Sequence, residues 1–208
     1  LAKASIKMGA GVGLIATLLA AMTGDSSAYQ VAQVQPMKLA AMEALYNGGK
    51  GESLTAIAAV HPFKQPDYES EQEPAMRIAI PNMLSFLATR TADGYVPGVN
   101  DIIKGYTKED GTREPSVQEK IVRGKKAIVA LKTYRETKAQ DQLPILRENM
   151  KYFGYGYIKD ARELVPSIPI CFYAFRLMVG VGCLLILFFA LSLFLVYKKE
   201  IAQYRWFL

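Results

Sequence analysis

A chain of 208 residues, 51% hydrophobic and 21% charged, is long enough for one ordinary domain or for one domain held between membrane spans. Its net charge of +6 suggests a nucleic-acid surface only until it is partitioned. Of 25 Lys/Arg and 19 Asp/Glu, six cations (Lys3, Lys7, Arg176, Lys198, Lys199, Arg205) and Glu200 lie outside residues 25–166, so the long central segment is nearly neutral and offers no basic face to nucleic acid.

The first apolar run, MGAGVGLIATLLAAMTG from Met8 to Gly24, has seventeen residues. That is the short end of the spanning range, and a helix that begins before Ala4 makes it sufficient. Gly9, Gly11 and Gly13 suit close helix packing. A cleaved signal peptide is the competing reading, because Lys3 and Lys7 precede the run and small residues follow it. The chain opens on Leu1 and stops at WFL, which reads as an internal fragment of a longer protein.

After Gly24 the text changes to DSSAYQ, a turn-prone cluster. A helix is predicted from about Pro36 to Tyr46, with Pro36 in the first turn and NGG as its stop. Lys38 and Glu43 sit on it among alanines, methionines and leucines. Five positions separate them by about 7.5 Å along the axis and about 140° around it, so they are not an i,i+4 ion pair. The bland reading is a surface helix with two exposed charges. The functional reading is a ligand with two polar ends, one held by a cation and the other by a carboxylate able to take a proton.

Gly48 to Asp67 reads as loop, and Glu69, Glu71 and Glu73 as a solvated acidic run. PNMLSFLA from Pro81 reads as a short helix, ended by the turn chemistry of DGYVPG. Residues 105–116 are polar and read as mobile. From Val117 to Ala139, Ile121, Ala127, Ile128, Leu131 and Tyr134 recur near helical spacing. A further helix from Gln140 to Phe153 ends at GYGY, and VPSIP leads into the second apolar run.

That second run, LMVGVGCLLILFFALSLFLVY from Leu177 to Tyr197, holds twenty-one residues without a charge and is a transmembrane helix by length and composition. In a two-span hairpin the flanking cations, apart from Arg176, share one side, which the positive-inside rule places in the cytoplasm. The segment between the spans then faces outward. Cys171 and Cys183 lie about 18 Å apart along one helix and cannot pair with each other.

Arg176 and Met178 lie near the outer end of this span, in CFYAFRLMVG. A methionine there ordinarily packs, whereas an arginine at that depth snorkels to the interface or pairs with an anion. Thioether is also an axial ligand of low-spin haem; a haem would offer iron to Met178 and a propionate to Arg176. His61, the single histidine, excludes bis-histidine ligation within this chain and reads as a loop residue. CxxCH, P-loop, GxSxG, HExxH and paired-cysteine zinc motifs are absent, so covalent c-type haem and the familiar soluble-enzyme chemistries have no foothold.

Taken in order, GDSSAYQVAQVQPMKLAAMEA, IPNMLSFLATR, YFGYGYI and FYAFRLMVG resemble subunit I of the bacterial cytochrome bd quinol oxidases. The likeness runs nearly end to end and is thinnest from about Gly48 to Glu73 and over 105–150. It implies a mainly α membrane fragment: a span at 1–24, an extracytoplasmic quinol-binding loop at 25–166, a span carrying a haem ligand at 167–197, and a cytoplasmic turn into the next helix at 198–208. By resemblance, Lys38 and Glu43 bind and oxidise ubiquinol or menaquinol, and Asp25 and Gln35 lie near the same pocket. Met178 is an axial ligand of low-spin haem b, and Arg176 lies beside that haem and favours its reduced state. The high-spin haem b and haem d belong to parts of the subunit outside this fragment, as does the histidine opposite Met178. The implied partners are subunit II, small accessory subunits and the bilayer of the bacterial inner membrane. From composition alone, a two-span receptor with an outward ligand-binding domain is the alternative; it requires neither the KLAAxE helix nor Arg176 beside Met178.

Overall fold

The computed structural model describes residues 2–59, 75–108 and 110–198; His61, the acidic run at Glu69–Glu73 and the tail from Lys199 lie outside them. In chain order the elements are α1 (Ala2–Val34), α2 (Pro36–Glu43), β1 (Gly49–Lys50), β2 (Leu54–Ala59), β3 (Ala75–Ile80), α3 (Met83–Thr89), β4 (Tyr95–Val96), α4 (Val99–Lys104), β5 (Tyr106–Thr107), β6 (Arg113–Glu114), α5 (Val117–Thr137) and α6 (Gln142–Asn149). Two 3-10 segments, Met150–Tyr157 and Ala161–Leu164, then lead into α7 (Ile168–Tyr197). The chain divides into two compact units: Leu1–Gln30 with Tyr173–Leu208, and Val31–Phe172.

The first unit is a pair of helix segments. Within it the start of α1 lies beside the end of α7: Ile6 packs on Leu195 and Val196, and the Lys7 ammonium sits 4.2 Å from the centre of the Tyr197 ring. A Cβ on Gly13 would meet the Phe189 ring at 2.6 Å, so that glycine is the notch that admits the ring, as small residues do between membrane helices. Gly9 and Gly11 do not share this role, since a Cβ on either would meet nothing within 4 Å. Both helices are long and apolar enough to cross a membrane, and they expose Met8, Val12, Ile15, Leu177, Leu184 and Leu187. A helix apolar on all sides belongs in lipid or among other helices.

The turn expected at DSSAYQ does not form, and α1 runs through it to Val34. Its hydroxyls fold back on the helix: Ser26 Oγ donates to Met22 O at 3.4 Å and Ser27 Oγ to Thr23 O at 2.8 Å. Side chains that compete for backbone in a turn are here satisfied by the i−4 carbonyl. The break comes at Gln35 instead, because Pro36 disfavours helical backbone in the residue before it; Gln35 has φ −133° and ψ 61°.

The second unit packs around α2. Leu39, Ala40, Ala41, Ala44 and Leu45 bury themselves against Leu84 and Ala88 of α3, Val96 of β4, Val99 and Ile102 of α4, and Ile168 and Phe172 at the start of α7. Three two-stranded antiparallel ribbons, β1 with β4, β2 with β3 and β5 with β6, stitch the connections. All three revise the sequence reading. The stretch after Gly48 forms β1 and β2, and the polar stretch 105–116 is the β5–β6 hairpin. Gly105 enters that hairpin at φ +86°, where a Cβ would come within 2.9 Å of Glu114 O.

Helix α5 ends two residues short of the predicted Ala139, and the helix predicted over Gln140–Phe153 splits into α6 and the first 3-10 segment. That segment lies along α5 at backbone distance: a Cβ on Gly124 would collide with Gly156 N and Tyr152 O. The hairpin is tied to α5 by charge. Glu114 pairs with Lys108 at 2.9 Å and with Lys120 at 3.4 Å, and Lys120 is buried among its neighbours.

Gly124→Ala forces two backbones apart and is expected to destabilise the loop unit by about 1–3 kcal/mol, seen as earlier loss of protease resistance on heating. Gly154→Ala, whose Cβ would meet nothing within 4 Å, is the control and should stay within about 0.5 kcal/mol of the parent. A second expectation concerns pH. Burial opposes the charged form of Glu114, but Lys108 and Lys120 outweigh it and hold its carboxyl below the ordinary 4.5. A depressed carboxylate contributes stability above its unfolded pKa and loses it as pH falls through the folded one. Acidification from about pH 4.5 downward should therefore loosen the hairpin in the parent, while Glu114→Gln should flatten that dependence in hydrogen exchange of residues 106–114.

Candidate functional site

Helix α2 is short because its end is enforced. Ala44 takes the left-handed conformation at φ 50°, ψ 37°, Leu45 N donates to Ala40 O at 2.9 Å and Ala44 N to Ala41 O at 3.3 Å. This is the Schellman arrangement, ordinarily built on glycine. An alanine there costs about 1–2 kcal/mol of backbone strain, which the paired carbonyls and the burial of Leu45 offset. The helix thus stops at Glu43, three residues before the predicted Tyr46.

The approximately 140° between Lys38 and Glu43 now has a physical meaning. Lys38 is exposed, whereas Glu43 is 4% exposed; one charge faces out and the other lies inside the unit. Of the two sequence readings, an ordinary surface helix with both charges solvated does not survive. Gln35 is the N-cap of this helix, and its carbonyl accepts from Lys38 N at 3.0 Å and Leu39 N at 3.3 Å. Its side chain is exposed. Lys38, Glu43 and Gln35 all belong to the Val31–Phe172 unit.

Asp25, Arg176 and Met178 belong to the other unit. Asp25 is half-buried on α1. On α7, Arg176 is half-buried and its guanidinium lies 5.4 Å from the centre of the Phe175 ring, while Met178 is exposed. Two helical positions turn these side chains about 200° apart, so they leave opposite sides of the helix. Only the length of the arginine would let it reach the rim of a group coordinated by Met178. The Met178 face itself suits a flat macrocycle: Gly182, one turn on, would carry a Cβ into open space, and the surroundings are apolar. A soft thioether on such a face fits one axial position of a low-spin haem. Among the described residues no group of three or more His, Cys, Asp or Glu could hold a metal ion. Cys171 and Cys183 are free thiols.

One polar cluster escaped the sequence reading. Asp101, in the first turn of α4, accepts from Gly48 N at 2.6 Å and Gly98 N at 2.9 Å. Tyr95 also hydrogen-bonds to this carboxylate, and its ring lies 6.1 Å from that of Tyr106. Burial, then the Asp101 charge and hydrogen bond, push the Tyr95 phenol up to about 12. Burial, then Glu114 and Asp101, do the same for Tyr106, also to about 12. The available signal was Gly98 followed three residues later by an acid, the spacing of a capping box.

The profile of the cytochrome bd terminal oxidase subunit I family matches residues 1–208. The chain belongs to that family. It is 31% identical over 209 residues to cytochrome bd-II ubiquinol oxidase subunit 1 of Escherichia coli (strain K12), covering 97% of this chain and 40% of that protein. It is 27% identical over 207 residues to cytochrome bd ubiquinol oxidase subunit 1 of Bacillus subtilis (strain 168), covering 99% of this chain and 32% of that one. The chain thus spans about a third to two fifths of the curated relatives it matches. Membership in this family leaves the two-span receptor without support.

Proposed function

We propose that this chain is the quinol-oxidising segment of a membrane-bound terminal oxidase, and that Lys38 and Glu43 are the groups that meet the quinol. The observation that carries the reading is the placement of Glu43: a carboxylate buried at the end of a helix whose other inward residues are alanine and leucine, about 1.4 turns from an outward lysine. A carboxylate in that position can serve as a general base toward a hydroxyl within hydrogen-bond reach. Membership in an oxidase subunit family supplies the reaction that needs one.

Quinol becomes quinone by losing two protons and two electrons. Lys38 donates a hydrogen bond to one head-group oxygen and favours its deprotonated form. Glu43 accepts the proton of the other hydroxyl and passes it outward. Gln35, at the joint between α1 and α2, is a further candidate for quinol contact, and the family resemblance adds Asp25 of α1. Met178 would supply a thioether ligand to a low-spin haem b, and Arg176 would stabilise the charge of its propionates. When bound, such a haem would supply a one-electron acceptor for quinol oxidation, and the high-spin haem b and haem d of the complete subunit would supply the site of oxygen reduction.

The helix lengths agree with this placement. A span needs about 20 residues, and α1 has 33, so its last turns, with Asp25, stand clear of the hydrocarbon. Lys3, Lys7 and Lys198 then mark the cytoplasmic side of a bacterial inner membrane, and residues 25–166 form the outward loop between the spans at 1–24 and 167–197. Subunit II and small subunits cover the apolar faces that lipid does not.

In the complete oxidase, Glu43→Gln should lower quinol-driven oxygen consumption per haem by about 100-fold or more with haem content unchanged; loss of haem and activity in proportion would instead assign Glu43 a folding role. Met178→Leu should remove the low-spin component from the reduced-minus-oxidised spectrum, and an unaltered spectrum would dismiss Met178 as a ligand.

A further inference from the structure

The segment that follows Glu43 is held more tightly than a surface loop requires. Val99 N and Asn100 N, at the start of α4, donate to Leu45 O and Tyr46 O, both at 2.9 Å. Asn100 Nδ2 donates to Asn47 Oδ1 at 2.8 Å. Asp101 closes the clamp, its Oδ2 accepting from Gly48 N at 2.6 Å while also capping its own helix through Gly98 N at 2.9 Å. Two glycines make the approach possible: a Cβ on Gly98 would stand 2.6 Å from Gly48 N and from Tyr46 O. Residues 45–48 are thereby fixed to α4 across 53 positions of sequence, beginning two residues after the buried carboxylate.

We infer that Asp101 is a positioning residue for the quinol site: by locking the exit of α2 onto α4 it sets the depth and rotation at which Glu43 and Lys38 meet the head group. This rests on the reading of Lys38 and Glu43 given above. The physical basis is the charge of the acceptor. Hydrogen bonds to a carboxylate are shorter and roughly twice as strong as those between neutral groups, and Asp101 spends them on two backbone amides from different segments and on the Tyr95 hydroxyl. Asparagine keeps an acceptor oxygen but not the charge. Glutamate keeps the charge, and at the third position of a helix it reaches back to the cap as a matter of course. Small displacements of a reacting group are costly, since a shift of about 1 Å can lower a rate about 100-fold.

The test uses the complete oxidase in membranes, with oxygen consumption per haem followed against quinol concentration and haem content read from the dithionite-reduced spectrum. Asp101→Asn should retain its haem but lose at least about tenfold in kcat/KM, chiefly through a raised KM for quinol. Asp101→Glu should remain within about threefold of the parent. Three results would overturn the inference: kcat/KM of Asp101→Asn within about twofold of the parent, activity lost only in step with haem, or Asp101→Glu as impaired as Asp101→Asn. Glu43→Gln, assayed alongside, separates the two layers. Full turnover in that variant would remove the quinol-site reading and the positioning role with it. Loss of turnover there beside an unaffected Asp101→Asn would remove the positioning role alone.

Discussion

Helix α2 can carry a buried carboxylate only because its other inward side chains are so small. Ala40 and Ala41 are fully buried, which lets the helix backbone settle close to α3, β4 and α4, and Leu39 and Leu45 supply the apolar area that holds it there. Each such leucine contributes about 1.5–3 kcal/mol. Glu43 then occupies a place that the packing of its neighbours has already made. A bulkier inward face would lift the helix, let water reach the carboxylate and remove the difference in environment between it and Lys38.

The rest of the loop unit works to keep that helix where it is. The left-handed Ala44 ends it abruptly, the clamp at Gly48, Gly98 and Asp101 holds the chain that leaves it, and Pro36 breaks the helical backbone at Gln35 where the chain enters it. The β5–β6 hairpin and α5 stand further out, tied by Glu114, Lys108 and Lys120 and by the glycine contact between α5 and the 3-10 segment. The unit thus has a tight centre built from backbone hydrogen bonds and glycine contacts, and a periphery joined partly by charge. Partly exposed ion pairs contribute modestly, so the periphery is where salt and pH act first.

The membrane helices follow a different logic. In water their apolar surfaces would collapse together; in lipid they gain nothing from burial against each other and rely on close packing. Of the glycines in α1, Gly13 alone is used as a notch, for Phe189. Gly182 on α7 would carry a Cβ into open space. The two curated relatives are more than twice as long as this chain.

Much of this was legible in the sequence. Runs of uncharged apolar residues specify membrane helices without help from neighbours, because the requirement is set by bilayer thickness. Pro36 and the apolar spacing of α5 marked their elements, and the KLAAxE and FRLMV stretches lie on helices as their patterns predict, since those signals are local. What the sequence left undecided depended on distant partners. DSSAYQ reads as a turn, yet Ser26 and Ser27 find carbonyls once a helix already passes through them. Residues 105–116 read as mobile, yet they pair into a hairpin because Glu114 reaches Lys120 on α5. Lys38 and Glu43 look alike on a helical wheel; which of them is buried is settled only by the elements that pack on α2. Asp101 gave only a faint local sign, because its principal partner, the Gly48 amide, is 53 residues away. Local pattern determines which elements form and which groups are present; only tertiary packing decides which charge is withdrawn from water, because burial depends on the distant segments that close over α2.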